Sequence, residues 1–378
     1  MLSNLIDKET ASKIITPLFC ILTIFNLISR STFSFDGQAL KFSYVLVILI
    51  FLLSFLIIKH TLQEYIWLII GLFITGGVFL TTGQIEYLLI IVLLFSVSQE
   101  SPKKILKVIL YTTIICLFVI GIFSLLNVIP NRSFYRGDIQ RMSFGMHYPL
   151  VLSGYIFESS AIAAVLYGRK YPYKLSMILL VVIFILERFV NSRNDEVCIM
   201  LLIMVVLFFY IKNNTKYLAK YCLILGILIM LFIVVSVFIS QIIPYNSDLF
   251  SRMNSVLSGR LQLQYTTFQY YTPRLFGIYI PQISMGGLVS NTAYYFYIDN
   301  SFCRYLFMGG ILLFIFIIIT FFKASINLML VKLYLISFVE LIICINGVFA
   351  DPLTSLSGGL LLPMFLINVY NYRKDFGI

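Results

Sequence analysis

Asp299-Asn300-Ser301-Phe302 sets a carboxylate and an amide just ahead of a long apolar run that carries Gly309-Gly310. An acid at the edge of such a run is costly unless it is paired or used. Upstream, Leu257-Ser258-Gly259-Arg260 leads into Leu261-Gln262-Leu263-Gln264-Tyr265, which reads as an N-cap opening a short helix, with the glycine allowing close backbone approach. A helix start of this kind offers free N–H groups and a positive dipole end to an anion. Arg260 would add a planar fork that matches carboxylate or phosphate.

The chain that must position these groups has 378 residues, 60% of them hydrophobic and 11% charged, with a mean hydropathy of +0.99. Soluble domains run roughly 45–50% apolar and about 25% charged. The composition is that of a polytopic membrane protein and excludes a large soluble catalytic domain. Cys20, Cys116, Cys198, Cys222, Cys303 and Cys344 all lie in or beside apolar runs, so neither a disulfide framework nor a zinc site is expected. Small residues suited to cleavage do not follow the first apolar run, and a removable signal peptide is not expected. A nucleotide-binding loop is absent from the sequence; no cofactor, metal or nucleic-acid partner is expected.

Apolar runs bounded by charge predict an all-α fold with twelve spans, near 14–29, 42–58, 65–81, 85–98, 105–127, 147–167, 174–190, 196–211, 218–243, 298–322, 333–350 and 356–370. The short fourth could be re-entrant or merge with its neighbour. Residues 1–378 then form a single transmembrane domain with both termini on one side. Lys8, Lys13, Lys59, Lys103, Lys104, Lys107, Lys170, Lys174, Lys212, Lys216, Lys220, Lys323, Lys332 and Lys374 fall on the terminal side and only Lys41 opposite, which makes the termini cytoplasmic.

Arginine does not follow lysine. Arg169 and Arg373 are cytoplasmic, whereas Arg30, Arg132, Arg136, Arg141, Arg188, Arg193, Arg252, Arg260, Arg274 and Arg304 fall outside. A topology signal treats the two residues alike, so this segregation calls for a chemical reason: a guanidinium grips phosphate bidentately and never deprotonates. The alternative is that these arginines pair with Asp138, Asp195, Glu196, Asp248 and Asp299, or meet lipid headgroups. Two external loops, 128–146 and 244–297, are long and polar and are the expected catalytic face. The second is crowded with aromatics, among them Tyr265, Phe268, Tyr270, Tyr271, Tyr279, Tyr295 and Tyr297; such rings line carbohydrate sites and also sit at membrane interfaces, the reading that suits Tyr294 to Tyr297 better.

Leu257-Ser258-Gly259-Arg260 in a large external loop, followed by Asp299-Asn300-Ser301-Phe302 leading into a glycine-containing span, resembles the Wzy-type polysaccharide repeat-unit polymerases, whose plan is shared by the O-antigen ligase superfamily. Asn191-Ser192-Arg193 at the outer turn between the seventh and eighth spans, and Arg141-Met142-Ser143-Phe144-Gly145-Met146-His147-Tyr148-Pro149 entering the sixth, support it. One departure is that a His-Pro-Asn stretch of relatives reads His147-Tyr148-Pro149 here, which leaves a role for His147 open.

The resemblance implies glycosyl transfer between two undecaprenyl-pyrophosphate-linked oligosaccharides at the external face of the bacterial cytoplasmic membrane, with undecaprenyl pyrophosphate released. Donor, acceptor and membrane lipid are the implied partners, with a chain-length regulator and a flippase as further ones. Arg260, Arg193, Arg252, Arg274, Arg141, His147, Asn300, Ser258 and Arg304 are the implied substrate-binding residues, and Asp299, which stands where ligases carry histidine, is the implied general base. The same plan would serve an O-antigen ligase. A different class, a secondary transporter or flippase of an anionic or lipid-linked substrate, rests on Glu158 and Glu340 inside the sixth and eleventh spans; the competing view pairs these acids with Arg304 or with polar groups of neighbouring spans.

Overall fold

A computed structural model describes residues 8–33, 37–136, 138–211, 216–283, 295–356 and 374–375. The helices run α1 Lys8–Ser29, α2 Gln38–Ile57, α3 Leu62–Thr82, α4 Glu86–Val97, α5 Pro102–Leu125, α6 Pro149–Tyr167, α7 Pro172–Phe189, α8 Arg193–Ile211, α9 Lys216–Ile242, α10 Asp248–Val256, α11 Arg260–Tyr270, α12 Ser301–Phe307, α13 Gly310–Leu330 and α14 Tyr334–Phe349. Local chemistry sets several ends. Thr61 Oγ1 accepts from the Glu64 amide while Glu64 Oε2 accepts from the Thr61 amide, a reciprocal cap for α3. Ser101 caps α5 ahead of Pro102 in its first turn.

Among the described residues, eight helices are long and apolar enough to cross a membrane: those ending at Ser29, Ile57, Thr82, Leu125, Tyr167, Ile211, Ile242 and Leu330. A multi-pass helical membrane protein follows. The expected fourth span is α4, only 12 residues long and buried along almost its whole length. At 1.5 Å per residue it covers about 18 Å, short of a hydrocarbon core of about 30 Å. The expected span 356–370 lies outside the described residues, apart from Leu356.

The expected span 298–322 is not one helix. α12 stops at Phe307 and α13 begins at Gly310, whose φ is 87°. Residues 274–278 lie across the break: the Ile278 amide donates to Phe307 O at 2.9 Å, and the Ile311 and Leu312 amides donate to Arg274 O and Leu275 O at 2.9 and 3.2 Å. The end of one helix and the start of the next thereby find the partners that a continuous helix would have supplied. A Cβ on Gly277 or Gly310 would collide with the other segment's backbone, which is why both positions carry glycine.

The connections sort into two faces. On one, the Thr32 amide donates to Gly145 O at 2.8 Å, Thr81 Oγ1 to Phe276 O at 2.7 Å, and Arg141 Nε to Val190 O at 2.7 Å. This face also carries a two-stranded hairpin, β1 Ser133–Arg136 and β2 Ile139–Met142, inside the 128–146 loop. On the other, Ser12 Oγ donates to Glu100 Oε2 at 2.7 Å, and Ser101 Oγ bonds Asp375. Positions near both ends of the chain thus meet the same α4–α5 connection, opposite the arginines.

Candidate functional site

The segment leading into α12 is gripped from several sides. Gln282 Oε1 accepts from the Ile298 amide at 2.9 Å, and Arg304 Nε donates to Ile298 O at 2.7 Å. Asn300 Oδ1 accepts from the Phe302 and Cys303 amides at 2.9 and 3.1 Å, capping α12. Asp299 sits between these two fixed residues. Its Oδ2 lies 3.4 Å from Arg260 Nε, and 17% of its side chain is open.

Asp351, on the turn that follows α14, completes the cluster. Its Oδ2 accepts from Tyr297 OH at 2.6 Å and lies 2.9 Å from Arg304 Nη1, while the Arg304 guanidinium covers the Tyr297 ring at 4.4 Å. Arg304 Nη2 donates to Gln282 Oε1 at 3.0 Å, so each guanidinium nitrogen of Arg304 has a protein partner. Burial pushes the Asp299 carboxyl up to about 6; Arg260 opposes this, Asp351 reinforces it, and Arg304 opposes it again. A carboxylate of that basicity is ionised at neutral pH and can still accept a proton.

Arg260 reaches Asp299 from the first turn of α11. The expected serine cap is not there: Gly259, at φ 86°, is the N-cap residue and Ser258, at φ 56°, makes no side-chain cap. Nothing lies near a Cβ built on Gly259, so the glycine serves the left-handed turn rather than a close approach. Ser258 Oγ instead accepts from Arg136 Nη2 at 2.5 Å, joining the two long loops. α11 is anchored to the bundle by Gln264, whose Nε2 donates to Ser236 O and Val237 O of α9 at 2.8 and 2.5 Å.

Beneath this pair lies a cavity of about 140 Å³ between α9, α10, α11 and the end of α14. Its lining is mostly apolar, with Phe232, Ile239, Leu261, Val348 and Phe349 among it, and Arg260, Asp299, Asn300, Tyr297, Ser236 and Gln264 add polar groups. It is a mostly apolar slot with a cation and an acid in its lining.

A second group of guanidinium side chains lies alongside. Arg136 bonds Ser258, two residues before Arg260, and Arg141 bonds Val190, three residues before Arg193; burial lowers the Arg136 pKa and the positive charges of Arg193, Arg141 and Arg260 lower it further. Arg141 is 5% exposed; its Nε is bonded to Val190 O, its Nη2 has no partner, and its guanidinium lies 5.7 Å from the Tyr148 ring centre. Such a cluster suits a multiply charged anion with oxygens to share.

Of the residues singled out from sequence, Asp299, Asn300, Arg260, Ser258, Arg193 and Arg141 therefore fall in one region. Arg304 is there too, engaged by protein groups. His147 turns to the end of α1: its amide donates to Arg30 O at 2.9 Å, and burial together with Arg132 and Arg30 holds its imidazole below its ordinary pKa. Arg252 and Arg274 are exposed on α10 and on the 274–278 crossing. Of the two partners offered for Glu340, Arg304 or a polar group of a neighbouring span, the second is found: Glu340 is fully buried with Ser325 Oγ of α13 at 3.5 Å. Among the described residues Asp195 meets no arginine but Ser153, Ser192 and Asn346. Arg136 was named only as one of the external arginines, and Asp351 is the site residue missing from the sequence reading; the acid-proline step Asp351-Pro352 closing an apolar run was the available signal.

Comparison with known proteins gives no matching family model, no matching curated protein and no matching solved structure.

Proposed function

We propose that this chain polymerises undecaprenyl-pyrophosphate-linked oligosaccharide repeat units at the external face of a bacterial cytoplasmic membrane. The observation that carries the reading is the Arg260–Asp299 pair lining a mostly apolar slot, with the charges of Arg136, Arg141 and Arg193 acting in the same region. A lipid-linked pyrophosphate has the matching form, an apolar tail behind a multiply charged head.

In this reading the arginine group holds the donor pyrophosphate. As the bond from the anomeric carbon to the phosphate oxygen breaks, charge grows on that oxygen, and preorganised guanidinium groups stabilise it by a few kcal/mol each. Asp299 takes the proton of the acceptor hydroxyl as its oxygen joins the anomeric carbon. The energy comes from the phosphoester itself, and the arginine-bearing face is external.

The test uses purified protein and synthetic lipid-linked repeat units, with products resolved by gel. A ladder of chain lengths with release of undecaprenyl pyrophosphate supports polymerisation; transfer only to a lipid A-type acceptor would indicate a ligase. In cells, loss of a polymerase leaves single-repeat surface glycan, whereas loss of a transporter leaves none.

A further inference from the structure

The contacts around Asp351 single out a residue that the reaction as described does not use. Asp351 Oδ2 holds Tyr297 OH at 2.6 Å and Arg304 Nη1 at 2.9 Å. Arg304 in turn fixes the carbonyl of Ile298, the residue before Asp299, at 2.7 Å. The turn bearing Asp351 is itself tied to the start of α12: the Ser301 amide and Oγ donate to Ala350 O at 3.1 and 2.7 Å, and Tyr305 OH bonds Leu353 O. From these contacts we infer that Asp351 is a positioning residue for Asp299, acting through Arg304 and Tyr297 to set where the acid sits in the lining of the slot.

The inference rests on the reading of Asp299 as the proton acceptor, and it assigns the outer end of α14 a part in the reaction. Asp351 occupies Arg304 and thereby leaves Arg260 as the cation that faces Asp299 at ion-pair distance. Charge follows the same geometry. The groups that act on the Asp299 carboxyl are Arg260 from α11, Arg304 from α12 and Asp351 from the turn after α14, with Tyr295 and Tyr297 on its own segment. A second negative charge near the acid makes it a stronger base, and removing that charge should weaken it.

The experiment takes the full chain in lipid nanodiscs, as wild type, Asp351→Asn, Asp351→Ala, Arg304→Lys and Tyr297→Phe. Infrared titration follows the Asp299 carboxyl band, assigned by its loss in Asp299→Asn, and kcat and KM are measured on synthetic lipid-linked repeat units across pH. In Asp351→Asn the band and the acid limb of the rate profile should both move to lower pH. In Asp351→Ala and Arg304→Lys, kcat should fall about 100-fold with KM little changed, the loss typical of a reacting group displaced by about 1 Å. A band and an acid limb that stay at their wild-type positions in Asp351→Asn overturn the inference. Should the Asp351 variants fail to accumulate, Tyr297→Phe decides, since an unchanged kcat there overturns it as well. A wild-type protein that polymerises nothing, while the band still moves in Asp351→Asn, supports the coupling and overturns only the polymerase reading.

Discussion

Asn346 Nδ2 donates to Asp195 Oδ1 at 2.7 Å, tying α14 to the start of α8 inside the bundle. The other carboxylate oxygen, Oδ2, lies 2.5 Å from both Ser153 Oγ and Ser192 Oγ. One buried acid therefore joins α6, the 190–193 turn, α8 and α14. That turn carries Arg193 and offers the Val190 carbonyl that seats Arg141. The packing of the bundle and the shape of the arginine face depend on the same carboxylate.

Removing the amide should therefore cost stability. Asn346→Ala leaves a buried carboxylate oxygen without its donor, a loss of about 1–3 kcal/mol. The melting temperature of the purified protein in nanodiscs should fall, and Asp195→Ala, which removes the shared acceptor of Ser153, Ser192 and Asn346, should lower it further. An unchanged melting temperature in both would remove Asp195 from the framework.

Arg260→Lys keeps the charge in the lining of the slot but loses the planar fork. If Arg260 grips an anion as well as facing Asp299, turnover should fall by a factor of about 100 or more, the order seen when one preorganised donor to a developing oxyanion is removed. Membrane abundance should stay near wild type, since the pair keeps 17–26% of its side-chain surface open. Wild-type turnover in this variant would make the arginine structural only.

The segregation of lysine and arginine makes a topological prediction. A cysteine at Arg252, exposed on α10, should react with a membrane-impermeant maleimide in spheroplasts, whereas one at Lys103, beside Asp375, should react only after lysis. The reverse pattern would put the arginine face inside the cell and end the external site assignment.

Most helix positions were legible because about 20 apolar residues bounded by charge leave a chain few alternatives in a bilayer. What was not legible depends on distant contacts. The break between α12 and α13 exists because residues 274–278 lie on it, and no local pattern around Gly309-Gly310 says which segment will arrive. The Ser258-Gly259-Arg260 stretch was correctly placed at a helix start, but serine and glycine exchanged roles: the glycine took the cap position in a left-handed conformation and the serine turned to Arg136. Asp351 was passed over because its meaning lies in Tyr297 and Arg304, which only the folded chain brings to it.

Asp299 gives a prediction in which stability and activity respond to pH in opposite senses. Its carboxyl titrates near 6 in the folded protein, raised by burial, against about 3.9 in an unfolded chain. A raised carboxyl favours the folded state while it is protonated in both states; that contribution is full below about 4 and is lost as pH rises through about 6. Wild type should therefore lose stability relative to Asp299→Asn across this window, read as the difference between their melting temperatures at successive pH values. Turnover should move the other way, because a base must be ionised to accept a proton, so wild-type activity should rise through pH 6. Asp299→Asn should still bind both lipid-linked substrates while losing about 100-fold to 10,000-fold in rate above pH 7, a gap that narrows below pH 6 as the wild-type carboxylate is protonated. A variant that polymerises normally would show that the acceptor hydroxyl attacks without this carboxylate, and would leave Asp299 as the counter-ion of Arg260.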